Sequence, residues 1–409
     1  MLGEVPRGWE VTTLGDIATE SRERFIPSGN SAPAVPYVGL EHIESSLPHV
    51  RHYGSSDDIF SQKTAFLAGD VLFGKLRAYL KKVAQVDRSG VCSTDILALR
   101  PRENADAKFL LNVLLRDETI HFAMGSSAGT KMPRTTWAAL SELPVSLPPL
   151  PEQKKIAAIL SSVDEAIQAT QAVIDQTRRV KEGLLQDLLT RGIGHTRFKQ
   201  TEIGEIPEGW QLRAIDDVAT VLLSNVDKKS VAGQPAVRLC NYMDVYSNAT
   251  ITSRLDFMHA TATPDQVVKF SLQQGDVLIT KDSEDPADIG VPSVVSDEFS
   301  EPVLCGYHLA MLRPHSVHGP YLAWALRSHA VNEQFVRRAN GSTRFGLTSG
   351  VIRSAVIPVP PLPEQKKIAA TLSLAEAKIQ SAQAVIDQTR QAKQGLLQDL
   401  LTGKVRVTP

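Results

Sequence analysis
The sequence predicts two mixed α/β (α+β) globules in tandem duplication, joined by two long helices that pair as an antiparallel coiled coil with pseudo-twofold symmetry. Three observations predict it. Residues 148–190 (PPLPEQKKIAAILSSVDEAIQATQAVIDQTRRVKEGLLQDLLT) recur at 360–402, with 32 of 43 positions identical at an offset of 212 and no gap. Such self-similarity comes before any local pattern. Both copies carry an unbroken heptad of seam positions. The stretches upstream of each copy, about 150 residues long, hold short apolar runs set between Gly, Asp, Ser and Pro, which read as strands.

Composition sets the bounds. A chain of 409 residues exceeds one ordinary domain, and 42% hydrophobic with 22% charged residues excludes collagen and long disorder. No apolar run approaches the roughly 20 residues that cross a bilayer. The opening MLGEVPRGWEVTTLGD lacks the basic-then-apolar order of a secretory signal. Cys92, Cys240 and Cys305 lie too far apart for a disulfide framework or zinc cluster, so the expectation is a reduced, cytoplasmic protein with no membrane contact. A net charge of −1 counts against a lone nucleic-acid binder, whose affinity comes largely from neutralising phosphates. It does not count against charges sorted in space. Residues 1–62 carry 4 Lys/Arg and 9 Asp/Glu, whereas residues 63–134 carry 12 against 7.

Each globule opens with a Gly-Trp turn, Gly8-Trp9 and Gly209-Trp210. Strand-like runs follow: VPYVGL (35–40), DVLFG (70–74) and DILALR (95–100) in the first copy, PAVRLC (235–240) and DVLIT (276–280) in the second. A helical stretch comes next (107–124 and 320–338), then a loop (125–137 and 338–350). Faint echoes link the globules: PRGWEVTTLGDIAT with PEGWQLRAIDDVAT, AGDVLFGK with QGDVLITK, and LALRP with LAMLRP. The first rod places Ile156, Leu160, Val163, Ile167, Thr170, Ile174, Thr177, Lys181, Leu184 and Leu188 at alternating steps of four and three. The second repeats it with Ile368, Leu372, Ala375, Ile379, Ala382, Ile386, Thr389, Lys393, Leu396 and Leu400. Thr and Lys on the seam weaken the pair but help to fix its register. Pro151 suits a first helical turn, and Gly192 and Gly403 can end the helices. About 40 residues make a rod of roughly 60 Å. The chain then divides into a globule (1–150), a central rod and linker (151–200), a second globule (201–360) and a distal rod and tail (361–409).

Basic, polar and aromatic residues gather in the turns. Lys75, Arg77, Tyr79, Lys81 and Lys82 follow a strand in the first globule, and Lys131, Arg134, Thr135 and Trp137 lie in the loop after the helix. In the second globule Asn225, Lys228 and Lys229 lie near the start, Lys281 matches Lys75, and Asn340, Ser342, Thr343 and Arg344 occupy the matching loop beyond Arg337 and Arg338. Arg and Lys suit phosphates and guanine edges, and Asn, Ser and Thr bond phosphates or bases. Taken singly, each is also an ordinary solvated surface residue. Catalytic patterns fail. GDVLFGKL (69–76) begins like a phosphate-binding loop, but Leu76 stands where Ser or Thr should hold magnesium and a strand-like run follows in place of a helix. There is no Asp/Asn-Pro-Pro-aromatic tetrad and no Gly-rich cofactor loop. Pro264-Asp265 has no Glu-x-Lys at a nuclease distance, and the ten His show no ligand spacing. Neither a catalytic site nor a metal site is expected, and Cys92 and Cys305 read as core residues.

The segments PPLPEQKKIAA at 148 and 360, LLQDLLT at 184 and 396, LLTGKVRV (400–407) and the junction FKQTEIGEIPEGW (198–210) carry a resemblance. The chain resembles the specificity (S) subunit of type I restriction–modification systems over its whole length. The resemblance implies that each globule is a target-recognition domain reading one half of a bipartite sequence in double-stranded DNA. It implies that the coiled coil sets the spacer and docks two methylase (M) subunits, with restriction (R) subunits joining through the methylase. S-adenosylmethionine, and ATP with Mg, would then sit on those partners, with no cofactor in this chain, which is not itself an enzyme. Contacts about one DNA turn, roughly 34 Å, apart are within reach of such a rod. The competing expectation is a structural coiled-coil scaffold without sequence-specific DNA binding.

Overall fold
The computed structural model describes residues 5–26, 34–45, 47–56, 61–127 and 131–407. The chain forms two compact units, Met1–Val173 with Ala382–Pro409, and Ile174–Ser381. These units cut across the four-segment division read from the sequence. Each takes one globule together with part of both rods.

The rods are the helices Leu150–Thr190 and Leu362–Thr402, of 41 residues each. A proline stands in each first turn, and Gly192 (φ 66°) and Gly403 (φ 72°) follow each end in the left-handed conformation that glycine adopts without strain. Within each unit the start of one rod lies along the end of the other, so the two run antiparallel. In the first unit Ile156 and Leu160 share a core with Leu400 and Leu401. In the second, Leu189 shares one with Ile368, Ala369 and Leu372. Ile156, Leu160, Ile167, Ile174, Ile368, Leu372, Ile379, Ile386 and Leu400 are buried, and Val163, Leu184 and Leu188 are half-buried. Leu396 departs from the expected seam. It is 36% exposed because the end of its helix turns Leu397, Leu400 and Leu401 towards the globule core instead.

The seam lysines are ion-paired across the rods. Lys393 Nζ lies 2.6 Å from Asp164 Oδ1, and Lys181 Nζ lies 2.7 Å from Glu376 Oε2. These are the same pair by the repeat: 164 and 376, like 181 and 393, differ by 212. A buried lysine without its acid is costly, so these pairs penalise other registers, as expected of lysines on the seam.

Each globule is built on two larger sheets, beside short two-stranded pairs. Among the described residues the first unit has a four-stranded sheet in the order Ala18–Glu20, Ile96–Pro101, Val71–Gly74, Val83–Gln85, and a five-stranded sheet of shorter strands. The second unit has a five-stranded sheet in the order Ala219–Leu223, Leu309–Pro314, Val277–Thr280, Pro292–Val295, Thr250–Ile251, and a three-stranded sheet. The sequence echoes mark one lock made twice. Asp70 turns the chain by accepting from the Leu67 N–H at 2.8 Å and takes both arms of Arg100 at 3.0 and 3.2 Å. Asp276 accepts from Gln273 N–H at 2.8 Å and from Arg313 at 2.9 and 2.7 Å. Both aspartates are 2% exposed, and Gly69 and Gly275 beside them take φ of 92° and 93°. Each expected helical stretch is in fact two helices, Ala107–Leu115 with Asp117–Gly125 and Gly319–Arg327 with His329–Arg338. Arg116 and Ser328 are extended between them and break the helix.

The repeated Pro-Glu-Gln ties globule to rod. Glu152, 2% exposed, accepts from the Trp9 indole at 3.0 Å and from Arg406 Nε and Nη2 at 2.8 and 2.9 Å. Glu364 accepts from the Trp210 indole at 3.1 Å, from Ile193 N–H at 2.9 Å and lies 2.9 Å from His195 Nε2. The neighbouring glutamines accept from the backbone N–H that opens the globule helix: Asp106 to Gln153 and His318 to Gln365, both at 2.8 Å.

Two expectations follow. Glu152→Ala strips Trp9 and Arg406 of their shared acceptor and should lower the unfolding free energy by about 2 kcal/mol in urea titrations. The Arg406 guanidinium holds the Glu152 carboxyl below its usual 4.5, so this stabilisation is full above that value and is lost as pH falls through the lower folded one. The gap between wild type and Glu152→Ala should therefore close in acid; a constant gap would show that the charge contributes nothing. Lys393→Ala should cost about 3 kcal/mol by leaving Asp164 buried and unpaired, whereas replacing Asp164 and Lys393 together by Leu should cost much less. Equal losses in thermal melts would refute the burial argument.

Candidate nucleic-acid interface
In both units the loop after the helices folds back onto the end of a central strand. In the first unit that strand is Val71–Gly74, and Lys75 follows it. The Lys75 N–H donates to Asp95 O at 2.9 Å and the Thr135 N–H to Lys75 O at 3.1 Å. Leu76 bridges Arg134 antiparallel, and the Arg77 N–H reaches Pro133 O at 2.9 Å. In the second unit the Lys281 N–H donates to His308 O at 3.1 Å and the Leu347 N–H to Lys281 O at 2.8 Å. There Asp282–Ser283 pairs with Phe345–Gly346, and the Asn340 and Gly346 backbones exchange hydrogen bonds at 3.0 and 2.8 Å. Two groups of basic residues that stand far apart in each sequence half are thus neighbours in space.

The side chains sort by exposure. Arg77, Tyr79, Lys131 and Arg134 are exposed, and Lys75, Lys81 and Lys82 are half-buried. Arg77 (φ 53°) and Lys81 (φ 49°) take the left-handed conformation, rare for such residues, and frame a tight turn, Ala78–Leu80. Lys81 is ion-paired with Asp117 and Lys82 Nζ donates to Leu40 O, which ties that turn down. Asp95 accepts from Arg134 Nε at 2.9 Å and raises the guanidinium pKa further. One candidate falls inside the fold. Thr135 is 1% exposed, its hydroxyl 3.0 Å from that of Ser126, so it offers no free surface, whereas Trp137 is half-buried with part of its ring packed against the core. Residues 128–130 of the same loop lie outside the described residues.

In the second unit Asn225, Lys228, Lys229, Asn340, Ser342, Thr343 and Arg344 are exposed and Lys281 is half-buried. The Asn225 side-chain oxygen accepts from Gln266 at 3.1 Å. The Lys281 ammonium sits 4.5 Å over the ring of Tyr307, which is 51% exposed and was not singled out from the sequence. Nothing in a Gly-Tyr-His triplet marks it; only the fold places it beside the basic loop.

Chemistry elsewhere is quiet. GDVLFGKL is a turn and a strand with the buried Asp70 at its base, not a phosphate cradle. Burial pushes the Cys92 thiol up to about 12 and raises those of Cys240 and Cys305, leaving none of them a ready nucleophile. Among the described residues no group of His, Cys, Asp and Glu could hold a metal ion, and no helix is long and apolar enough to cross a membrane.

Known proteins resemble the chain along its length. The type I restriction–modification DNA specificity domain matches it twice, at residues 6–177 and 207–389. A Methanocaldococcus jannaschii protein, provisionally named as the type I restriction enzyme MjaX specificity subunit, is 26% identical over 99% of this chain and 96% of its own. The MjaVIII specificity subunit of the same organism is 24% identical over 98% and 94%. Two solved structures share the fold with a TM-score of 0.59 each. One is a chain from work on complex assembly and conformational transition of the type I R-M system (21% identical, covering 98% of this chain and 100% of that one). The other is the S subunit of a type I restriction–modification system from M. genitalium (14% identical, 99% and 98%). With two family domains spanning most of its length, the chain belongs to the type I restriction–modification DNA specificity family.

Proposed function
We propose that this chain is the noncatalytic sequence reader of a type I restriction–modification complex, each globule reading one half of a bipartite target in double-stranded DNA. The observation that carries this reading is the repeated frame. Both units dock a basic, Ser/Thr/Asn-bearing loop on the lysine that ends the same central strand, yet the exposed residues differ between them. A common frame with unlike side chains is what two different half-sites require. The lysines and arginines supply phosphate contacts, and exposed Arg, Asn and Thr can bond base edges in the major groove. The rods set the spacer between half-sites and dock two methylase subunits, through which restriction subunits join. S-adenosylmethionine, and ATP with Mg, act on those partners.

Sequencing modified bases in DNA from cells carrying this gene and its methylase should reveal two short defined stretches separated by a fixed undefined spacer. A single unbroken motif, or no motif, would refute the reading and favour a plain scaffold. Arg344→Ala should weaken binding to duplexes by about tenfold through one half-site only; equal loss on all sequences would make Arg344 a phosphate contact. Lengthening one rod by about two helical turns should change the tolerated spacer and leave both half-sites alone. A change of half-site would place specificity in the rods.

A further inference from the structure
We infer that positions 94 and 307 are one and the same base-contacting position in the two units, Thr94 and Tyr307 giving the two half-sites different preferences. This rests on the DNA-reading function proposed above and names residues that it does not include.

The equivalence is set bond by bond. Strands Gly90–Cys92 and Val303–Cys305 each end at a buried cysteine, and Ile96–Pro101 and Leu309–Pro314 begin four residues later. The three residues between are Ser93-Thr94-Asp95 and Gly306-Tyr307-His308. Ser93 N–H donates to Val38 O and Gly306 N–H to Cys240 O, both at 2.9 Å. Ile96 N–H closes the turn on Ser93 O and Leu309 N–H on Gly306 O, both at 3.0 Å. The third residue of each turn accepts from the lysine that holds the basic loop. The middle residue alone is exposed, in both units, beside that loop. The backbone is therefore constant and the side chain free to differ.

Tyr307 is held in place without being covered. Its N–H donates to Val226 O at 3.0 Å, the Lys281 ammonium lies over its ring, and His308 meets the ring edge-on at 5.0 Å. A fixed aromatic ring with a cation on one face suits apolar contact with a thymine methyl or stacking against a sugar or base. Thr94 offers a smaller methyl and a hydroxyl at the same point. The first unit puts its own exposed tyrosine, Tyr79, on the turn after Lys75 instead, so the two rims present aromatic surface from different places.

The test uses the full-length chain with its methylase to select duplexes from a randomised library. Tyr307→Thr installs the residue that the first unit already carries on this backbone, so folding is retained, and Thr94→Tyr makes the converse exchange. Each exchange should shift base preference by about fivefold or more at one or two positions of a single half-site. The other half-site and the spacer should stay as they were. If both variants select the wild-type motif, with affinity unchanged or uniformly lowered, the inference falls. A wild-type protein that selects no two-part motif would instead overturn DNA reading itself, and the inference with it.

Discussion
A carboxylate at the first turn of each rod, buried in Glu152 and half-buried in Glu364, holds globule and helix pair together. Glu152 and Glu364 sit where the helix end favours negative charge. Each accepts the indole N–H of the tryptophan that opens its globule. Each also receives the segment that follows the end of the other rod, Arg406 in one unit and Ile193 with His195 in the other. Three parts of the chain meet on one side chain. Because a buried carboxylate stripped of donors is far costlier than a lost contact, substitution there is resisted from three directions at once. The adjoining glutamine adds a second tie, to the helix that supports the sheet. This gives Pro-Glu-Gln a reason to remain identical in two copies that need not involve any partner protein.

The same kind of fastening recurs elsewhere in the chain. Asp70, Asp276, Asp164, Glu376, Glu152 and Glu364 are all spent inside the molecule, each holding a turn, a register or a junction. Five of them are matched by Arg100, Arg313, Lys393, Lys181 and Arg406, so these fasteners cancel within the molecule and barely change the charge left for the surface. Net charge measures the whole chain, whereas a duplex would meet only the surface. A basic rim on a protein of net charge −1 therefore comes from charges sorted over the surface.

Much of the fold was legible because its signals were periodic or repeated. The heptads located both rods, and their proline and glycine ends fell within a residue or so of the observed bounds. Strands were marked by short apolar runs. What escaped was what depends on long-range pairing. Nothing near Arg116 or Ser328 marks a helix break, since neither is glycine or proline. The acids that meet Lys181 and Lys393 lie one step off the seam on the opposite rod, beyond any single-helix pattern. The candidate site was legible as separate loops but not as a place. Thr135 shares a loop with Arg134, yet only the fold turns Arg134 outward and Thr135 inward. Tyr307 has no local signature at all, and its interest comes from Lys281 and the turn beneath it.

Register between the rods is fixed by charge inside each unit. An apolar heptad seam tolerates slips of seven residues at modest cost, because one aliphatic side chain serves nearly as well as the next. The two ion pairs remove that tolerance. Asp164 opposite Lys393 and Glu376 opposite Lys181 lie on the same two helices, at positions related by the repeat. In the first unit a slip leaves Asp164 and Lys393 without a partner in a buried seam. The second unit carries the equivalent penalty in its own pair. A duplicated chain gains in this way a sharply defined register within each of its two units.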